Sequence, residues 1–401
     1  MKTEGKEHKP HQVGGSCDYL IGQRKIVRHQ HDHSDTQAAE GNRPCPLPLL
    51  CEQGQSCEQR QAQPGCHEEF YQRLLGVGAR FFLEDDLRFL DAPGEFFLDE
   101  KAGVLYYKPM GGGHPDTLGI AAPVLSCLIQ INGKSRDACA TNIRLEGLAL
   151  EETGGYSRSY ANALIRLENA TNVEIRECHL KNGGRHGITM VGHNIGNVVT
   201  GCWIESMGMN GVTLSNGKSR KDKQTGLYLD RCEHNRVHNC HIHNVGEIHT
   251  YAECVTVFNV SHNEISHCEL HDSVRYAVTV RGNTGAQYGP PVSTDRPPCS
   301  GNHLHHLRVY RCGQDGGDMG ALHCAGLNNP GGGCVNTFEQ ITVADSASIP
   351  SMKDRAPDGI FLDWPKMAMD QIFTNVHIVR SQDKQIVSHG PDNGDSAQTT
   401  N

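Results

Sequence analysis

The chain is predicted to be all-β: a right-handed parallel β-helix solenoid, with a small N-terminal β-hairpin element and a disordered leader. Three observations lead there. The first is an internal repeat. Asn235–Ile242 reads NRVHNCHI, or Asn-x-apolar-x-x-Cys-x-apolar, and Asn197–Ile204 (NVVTGCWI) and Asn263–Leu270 (NEISHCEL) keep the same spacing. Asn302–Val309 and Asn336–Val343 keep the Asn and put Leu307 and Ile341 where the Cys stood, while Ile143–Leu150, Val173–Leu180 and Gln371–Ile378 keep only the apolar register. The second is an interleaved series of short β-rich runs: Gly187–Met190, Gly211–Leu214, Cys254–Val257, Ala277–Val280, Gly320–Leu322 and Gly359–Leu362. Each repeat thus holds at least two runs with period-2 apolar positions bounded by Gly and Asn, and helix-length periodic runs are scarce. The third is register. The Cys and the apolar residue three before it break strand alternation, so a corner must lie between them. A unit this short cannot bury its own apolar face and must stack on copies of itself.

Taken in order, residues 1–66 form a Cys/His-rich polar leader without the apolar core of a signal peptide, and disorder is expected there. It carries His29, His31 and His33, a tract that could bind metal but reads first as a solvated stretch, and Cys45, Cys51, Cys57 and Cys66, whose spacings fit no common zinc site. Residues 67–140 are expected to hold a hairpin and lead-in segment packed on the solenoid. Asp91-Ala92-Pro93-Gly94 is a turn, Glu95–Leu98 a strand, Glu100-Lys101-Ala102-Gly103 a second turn and Val104–Tyr107 the returning strand. Ala121–Ile131 is expected to be a further strand, and Thr141–Glu151 opens the regular coils. The β-helix runs over 141–386, and 387–401 is expected to be a disordered tail. Cys178, Cys202, Cys240 and Cys268 fall at the same corner of successive coils and read as a buried thiol ladder, since free Cys is among the most buried residue types.

Bulk properties exclude several classes. The net charge is −9 with a pI near 6.2 and no basic stripe, which argues against nucleic acid as a ligand. No apolar run is long enough for a transmembrane helix. His241 and His243 alternate with Cys240 and Ile242 and so face outward; they read as surface histidines, with a zinc pair as the competing reading. No cofactor and no metal are expected, and the chain is expected to act as a monomer.

The LDAPGEFFLDEKAGVLYYKP stretch, IRLEGLAL at 143–150, DMGAL at 318–322 and GIFLD at 359–363 resemble the β-helical, pectin-lyase-like enzymes of glycoside hydrolase family 141. Those enzymes are associated with α-L-fucosidase and xylanase activity on plant polysaccharides. The resemblance covers about Phe81 to Ile386 and implies Asp318 and Asp363 as the catalytic acid pair. Family members usually carry a longer N-terminal section, and here a low-complexity leader stands in its place. The resemblance further implies secretion for a chain with an intact N-terminal section.

Glycosidic hydrolysis needs two carboxyl groups flanking the bond, one to protonate the leaving oxygen and one to attack the sugar or activate water. Insertions between coils gather over residues 240–365, which places the groove there. Glu253 and Asp358 precede second-series strands and are the reserve carboxylates. Arg275, Tyr276, His323, Trp364 and His249, with Tyr251, are candidates to line a sugar pocket; a ring such as Trp364 can stack on the apolar face of a sugar. The leading reading is a glycoside hydrolase acting on a plant or algal oligo- or polysaccharide. A non-catalytic carbohydrate-binding solenoid, or a truncated relative of the enzymes, is the alternative. A polysaccharide lyase on the same fold is less favoured, because the coils show no dense acidic cluster for Ca²⁺.

Overall fold

The computed structural model describes residues 86–99, 101–111, 119–155, 160–216, 223–224, 230–282, 299–314, 319–325, 335–347, 357–363, 371–389 and 397–400. The leader, with its His tract and the cysteines Cys45, Cys51, Cys57 and Cys66, lies outside the described residues.

The repeat folds as a right-handed parallel β-helix. One nine-stranded, all-parallel sheet stacks Cys127–Asn132, Ala163–Glu168, His186–Val191, Val212–Ser215, Glu253–Phe258, Tyr276–Arg281, Gly320–Ala325, Asp358–Asp363 and Ile386–His389. These are the second-series runs. The first-series runs build a fourteen-stranded sheet bent along its length. Its first arm stacks segments such as Glu174–Arg176, Val198–Thr200, Arg236–His238 and Glu264–Ser266; its second stacks His179–Gly183, Trp203–Met207, His241–Val245 and Glu269–Ser273. A short third sheet, Ala140–Thr141, Ala170–Thr171, Asn194–Ile195 and Cys232–Glu233, closes the early coils.

The corner between the two arms lies where the repeat places it. At every turn one residue there takes positive φ: Gly147, Glu177, Gly201, Asn239, His267, His306, Gln340 and Asn375. The Cys that follows is buried, and its thiol donates to the carbonyl two residues back, as Cys178 does to Arg176, Cys240 to His238 and Cys268 to Ser266, each at 3.2 Å. These cysteines are free thiols and form the expected internal ladder, continued by buried Leu307 and Ile341.

Inside, identical positions of successive coils form apolar rows. Ile165, Ile188, Val212, Val255, Val278, Leu322 and Ile360 make one; Leu180, Ile204, Ile242, Leu270, Val309 and Val343 make the facing one. The repeat's Asn builds a polar row within this interior. Asn197, Asn235, Asn263, Asn302 and Asn336 are all buried. Each Oδ1 from Asn235 onward accepts the backbone N–H and the Nδ2–H of the preceding Asn, at 2.9–3.2 Å. The Nδ2 groups also donate to the preceding coil's backbone, for example Asn263 to the Cys232 carbonyl at 3.1 Å. A buried amide is costly without partners and stabilising with all of them.

The hairpin forms as expected, Phe96–Asp99 pairing antiparallel with Val104–Tyr107. Two boundaries differ. The expected strand over Ala121–Ile131 is only Cys127–Asn132, and it already pairs with Ala163–Glu168, so the first coil opens ahead of Thr141. The tail expected to be disordered contributes Ile386–His389 and Ala397–Thr400, which pair with Ile360–Asp363 and Gln371–Thr374. The apolar rows cannot announce this, because a terminal strand needs only backbone partners on one side. Among the described residues no helix is long and apolar enough to cross a membrane.

Asn263→Ala removes the acceptor of the Asn235 N–H and Nδ2–H and the donor to Cys232. With about 1–3 kcal/mol per stranded buried group, it is expected to cost roughly 3–5 kcal/mol. Urea unfolding of the variant should show this as a lower midpoint, whereas Trp203→Ala on the exposed outer face should change stability little.

Candidate functional site

The nine-stranded sheet runs its inward side into the core and presents the alternate positions on its other side. Register puts Thr189, Thr213, Thr256, Thr279 and His323 in one row across five strands, with Phe361 next. The insertions of the chain fall immediately before or after these strands. This face therefore collects the longest connections, as expected of a solenoid's binding side.

Glu253 opens its strand and is only 4 % exposed. Its Oε2 accepts from Thr256 Oγ1 at 2.9 Å, and its backbone N–H donates to Asn210 Oδ1 at 3.2 Å. Asn210 Nδ2 in turn donates to Thr256 Oγ1 at 2.8 Å and Thr213 Oγ1 at 3.2 Å. Burial pushes the Glu253 carboxyl up to about 7, against the opposing pull of Thr256, Arg275, Arg281 and Asn210. With Oε2 engaged by the Thr256 hydroxyl, the acid proton falls to Oε1.

Tyr276 is the register partner of Glu253 on the next strand. Its ring stacks on His323 at 4.2 Å and 7°. The Arg275 guanidinium lies over the Tyr276 ring at 4.8 Å and the Tyr251 ring at 4.4 Å, a cation–π arrangement that fixes its planar fork. His323 is buried, with Nδ1 3.4 Å from Thr279 Oγ1 and Nε2 3.6 Å from Asp363 Oδ2. The second distance is an ion-pair contact too long for a hydrogen bond. Burial lowers the His323 pKa, with Asp363 working the other way.

The expected residues thus divide. Glu253, Arg275, Tyr276 and His323 come together, with Asp363 reaching the cluster through His323. His249 lies in the connection ahead of Glu253, its backbone N–H donating to the Gly208 carbonyl at 2.7 Å. Asp358 stands opposite Gly320 and accepts from the Lys384 backbone at 3.0 Å. Asp318 and Trp364 lie outside the described residues.

Gly320 pairs with Asp358 and Ala325 with Asp363, so Gly320 and Gly359, which open their second-series runs, stand one residue out of register. Met319, next to Asp318, thus stands at the Asp358 edge of the sheet, where its carbonyl accepts from the Asp358 N–H. Asp363 is at the opposite edge, about 17 Å away along a strand. Sequence reasoning did not single out Asn210, Thr256, Thr279 and Arg281. The signal was present in the Thr that recurs within the second-series runs, which were read for their apolar positions alone.

No protein-family model and no curated protein matches the chain. Among solved structures it is similar to a glycoside hydrolase, with a TM-score of 0.56 and 15 % identity over 79 % of this chain and 57 % of that one. The chain therefore spans little more than half the length of that enzyme. An alginate lyase from Paenibacillus sp. str. FPU-7 aligns with a TM-score of 0.41 at 13 % identity, over 67 % of this chain and 79 % of that one. The catalytic domain of a GH87 α-1,3-glucanase in complex with nigerose aligns with a TM-score of 0.40 at 15 % identity, over 65 % of this chain and 49 % of that one. The fold likeness rests on the first of these, a relationship of architecture alone.

Glu253 is protonated more readily in the folded chain than in the unfolded one, where a carboxyl titrates near its ordinary 4.5. Its contribution to stability is therefore complete below about pH 4.5 and is lost as pH rises through about 7, a change of roughly 3 kcal/mol. Glu253→Gln should remove that fall. Urea midpoints measured from pH 5 to pH 8 are expected to decline more steeply for the wild type than for the variant.

Proposed function

We propose that the protein is a carbohydrate-active glycoside hydrolase that binds an oligo- or polysaccharide across the outer face of the nine-stranded sheet. The observation that carries the reading is Glu253: a buried carboxyl held protonated close to neutral pH beside Arg275 and Tyr276. A general acid for glycosidic cleavage needs this raised affinity for its proton. Family 141, with its fucosidase and xylanase activities, is the substrate class that the hairpin, DMGAL and GIFLD motifs suggest.

Asp318 is proposed as the second carboxylate, paired with Glu253 and not with Asp363. The residue that follows its described neighbour, Gly320, stands two strands from Glu253, a lateral step of about 9.6 Å, whereas Asp363 lies beyond reach along the strand. A carboxyl separation of about 6.5–9.5 Å leaves room for an attacking water and gives inversion. In this scheme Glu253 protonates the leaving oxygen and Asp318 activates water. Arg275 and Tyr276 hold sugar hydroxyls, and Asp363 orients His323.

Glu253→Gln and Asp318→Asn are each expected to lower kcat/KM at least 10³-fold while leaving oligosaccharide binding within a few-fold. Wild-type kcat/KM should fall as pH rises above about 7, because the acid form is then depleted. Screening reducing-end release from fucosides, xylans and glucans checks this. Unchanged activity in both variants would overturn this acid pair, and binding without turnover in the wild type would favour the non-catalytic solenoid. Arg275 and Arg281 near the carboxyl also suit an anionic sugar. A lyase acting on one would give an ultraviolet-absorbing unsaturated product, which hydrolysis does not.

A further inference from the structure

The outer side of the second arm carries a cluster unconnected with the residues above. His241 and His243 lie on one strand and His271 on the next, with His243 and His271 in register. One ring nitrogen from each lies within 4.8 Å of the other two. His241 Nε2 and His271 Nε2 are 2.6 Å apart, and the His243 and His271 rings stack at 4.7 Å and 3°. Trp203 packs on His241 at 4.3 Å and Tyr310 stacks on His271 at 4.4 Å.

The second shell sets the tautomers. His271 Nδ1 is 2.5 Å from Asp272 Oδ2 and must donate its proton to that carboxylate, which Arg311 holds in place. Arg311 Nη2 also lies 3.3 Å from His271 Nδ1 without an acceptor site left there. His243 Nδ1 donates to Asn244 Oδ1 at 2.9 Å. Both rings therefore turn an Nε2 lone pair inward. His243 Nε2 is buried and makes no hydrogen bond among the described residues; Glu205 Oε2 stands 3.5 Å from it. Two imidazole nitrogens at 2.6 Å share one proton, and that proton occupies the place of a cation.

We propose that His241, His243 and His271 form a binding site for a divalent transition metal of the zinc class, with Glu205 facing the fourth position. Imidazole nitrogens select zinc, nickel and copper over calcium and magnesium. A tetrahedral ion with bonds of about 2.0–2.1 Å holds its nitrogens about 3.3 Å apart, which small ring rotations reach from here. The Asp272–His271 pair is the carboxylate–histidine support such sites use. On binding, neutral His241 changes tautomer, its single proton moving from Nε2 to Nδ1 so that the Nε2 lone pair is free. The ion would tie together three successive coils, through Trp203–Met207, His241–Val245 and Glu269–Ser273, as a staple and not as part of the sugar-binding face.

The test is calorimetric titration of the metal-free full chain with ZnCl₂. One equivalent is expected to bind, with affinity reduced at least 100-fold in His243→Ala and His271→Gln and about 10–100-fold in Asp272→Asn. Circular dichroism checks that each variant folds. A triple alanine variant at His29, His31 and His33 should keep the site. Loading the wild type with Co²⁺ should give the intense visible bands of a four-coordinate ion, which needs no variant. Absence of zinc binding by the wild type overturns the proposal. So does binding that survives both His variants, or binding lost instead with His267→Ala, since His267, His305 and His306 form the second group of this kind among the described residues.

Discussion

Stacking without slippage is the constraint on which the rest of this structure depends. A coil of a parallel β-helix has neighbours only above and below, and apolar rows alone resist a one-residue slip only through shape. The Asn row removes that tolerance. Each Asn Oδ1 takes two hydrogens from the preceding Asn, and each Nδ2 reaches a further backbone carbonyl. A slip would strand both partners in a dry interior, where the cost of each unmade bond is far larger than its net gain when made. The Cys corner acts in the same direction more weakly, its thiol covering a carbonyl beside a positive-φ residue.

Fixed stacking has a chemical consequence. Because the inward positions of the nine-stranded sheet are committed to the core, the alternate positions carry a registered array of hydroxyls and rings on the other side. Glu253 lies within that array and gains its proton affinity from burial there. Asn210 and Thr256 satisfy it as a neutral or weakly charged group, while its burial withholds the water that would stabilise the anion. Arg275, held over the rings of Tyr251 and Tyr276, pulls the carboxyl the other way, and burial outweighs it.

The fold was legible because its signals are periodic: the apolar register runs through all the copies, and the Asn, the corner Cys and the apolar-Thr-apolar runs recur in several successive coils. The acid pair was harder to read. The resemblance pairs Asp318 with Asp363, although aligning Gly320 with Gly359 already sets them several residues apart along their strands; the structure puts Asp363 opposite Ala325, and Asp318 lies outside the described residues. Glu253 appeared only as a reserve, since what raises its pKa is the burial of its strand start, which local spacing does not show. The His cluster was half visible. His241 and His243 point outward as expected, but His271, Asp272 and Glu205 join them only through stacking.

The most direct test of this account is the ionisation of one carboxyl. A ¹³C NMR titration of side-chain-labelled glutamate, assigned by the loss of one signal in Glu253→Gln, reads it without any substrate. This signal is expected to titrate near pH 7. A midpoint near 4.5 would contradict it and leave the sheet face without its general acid.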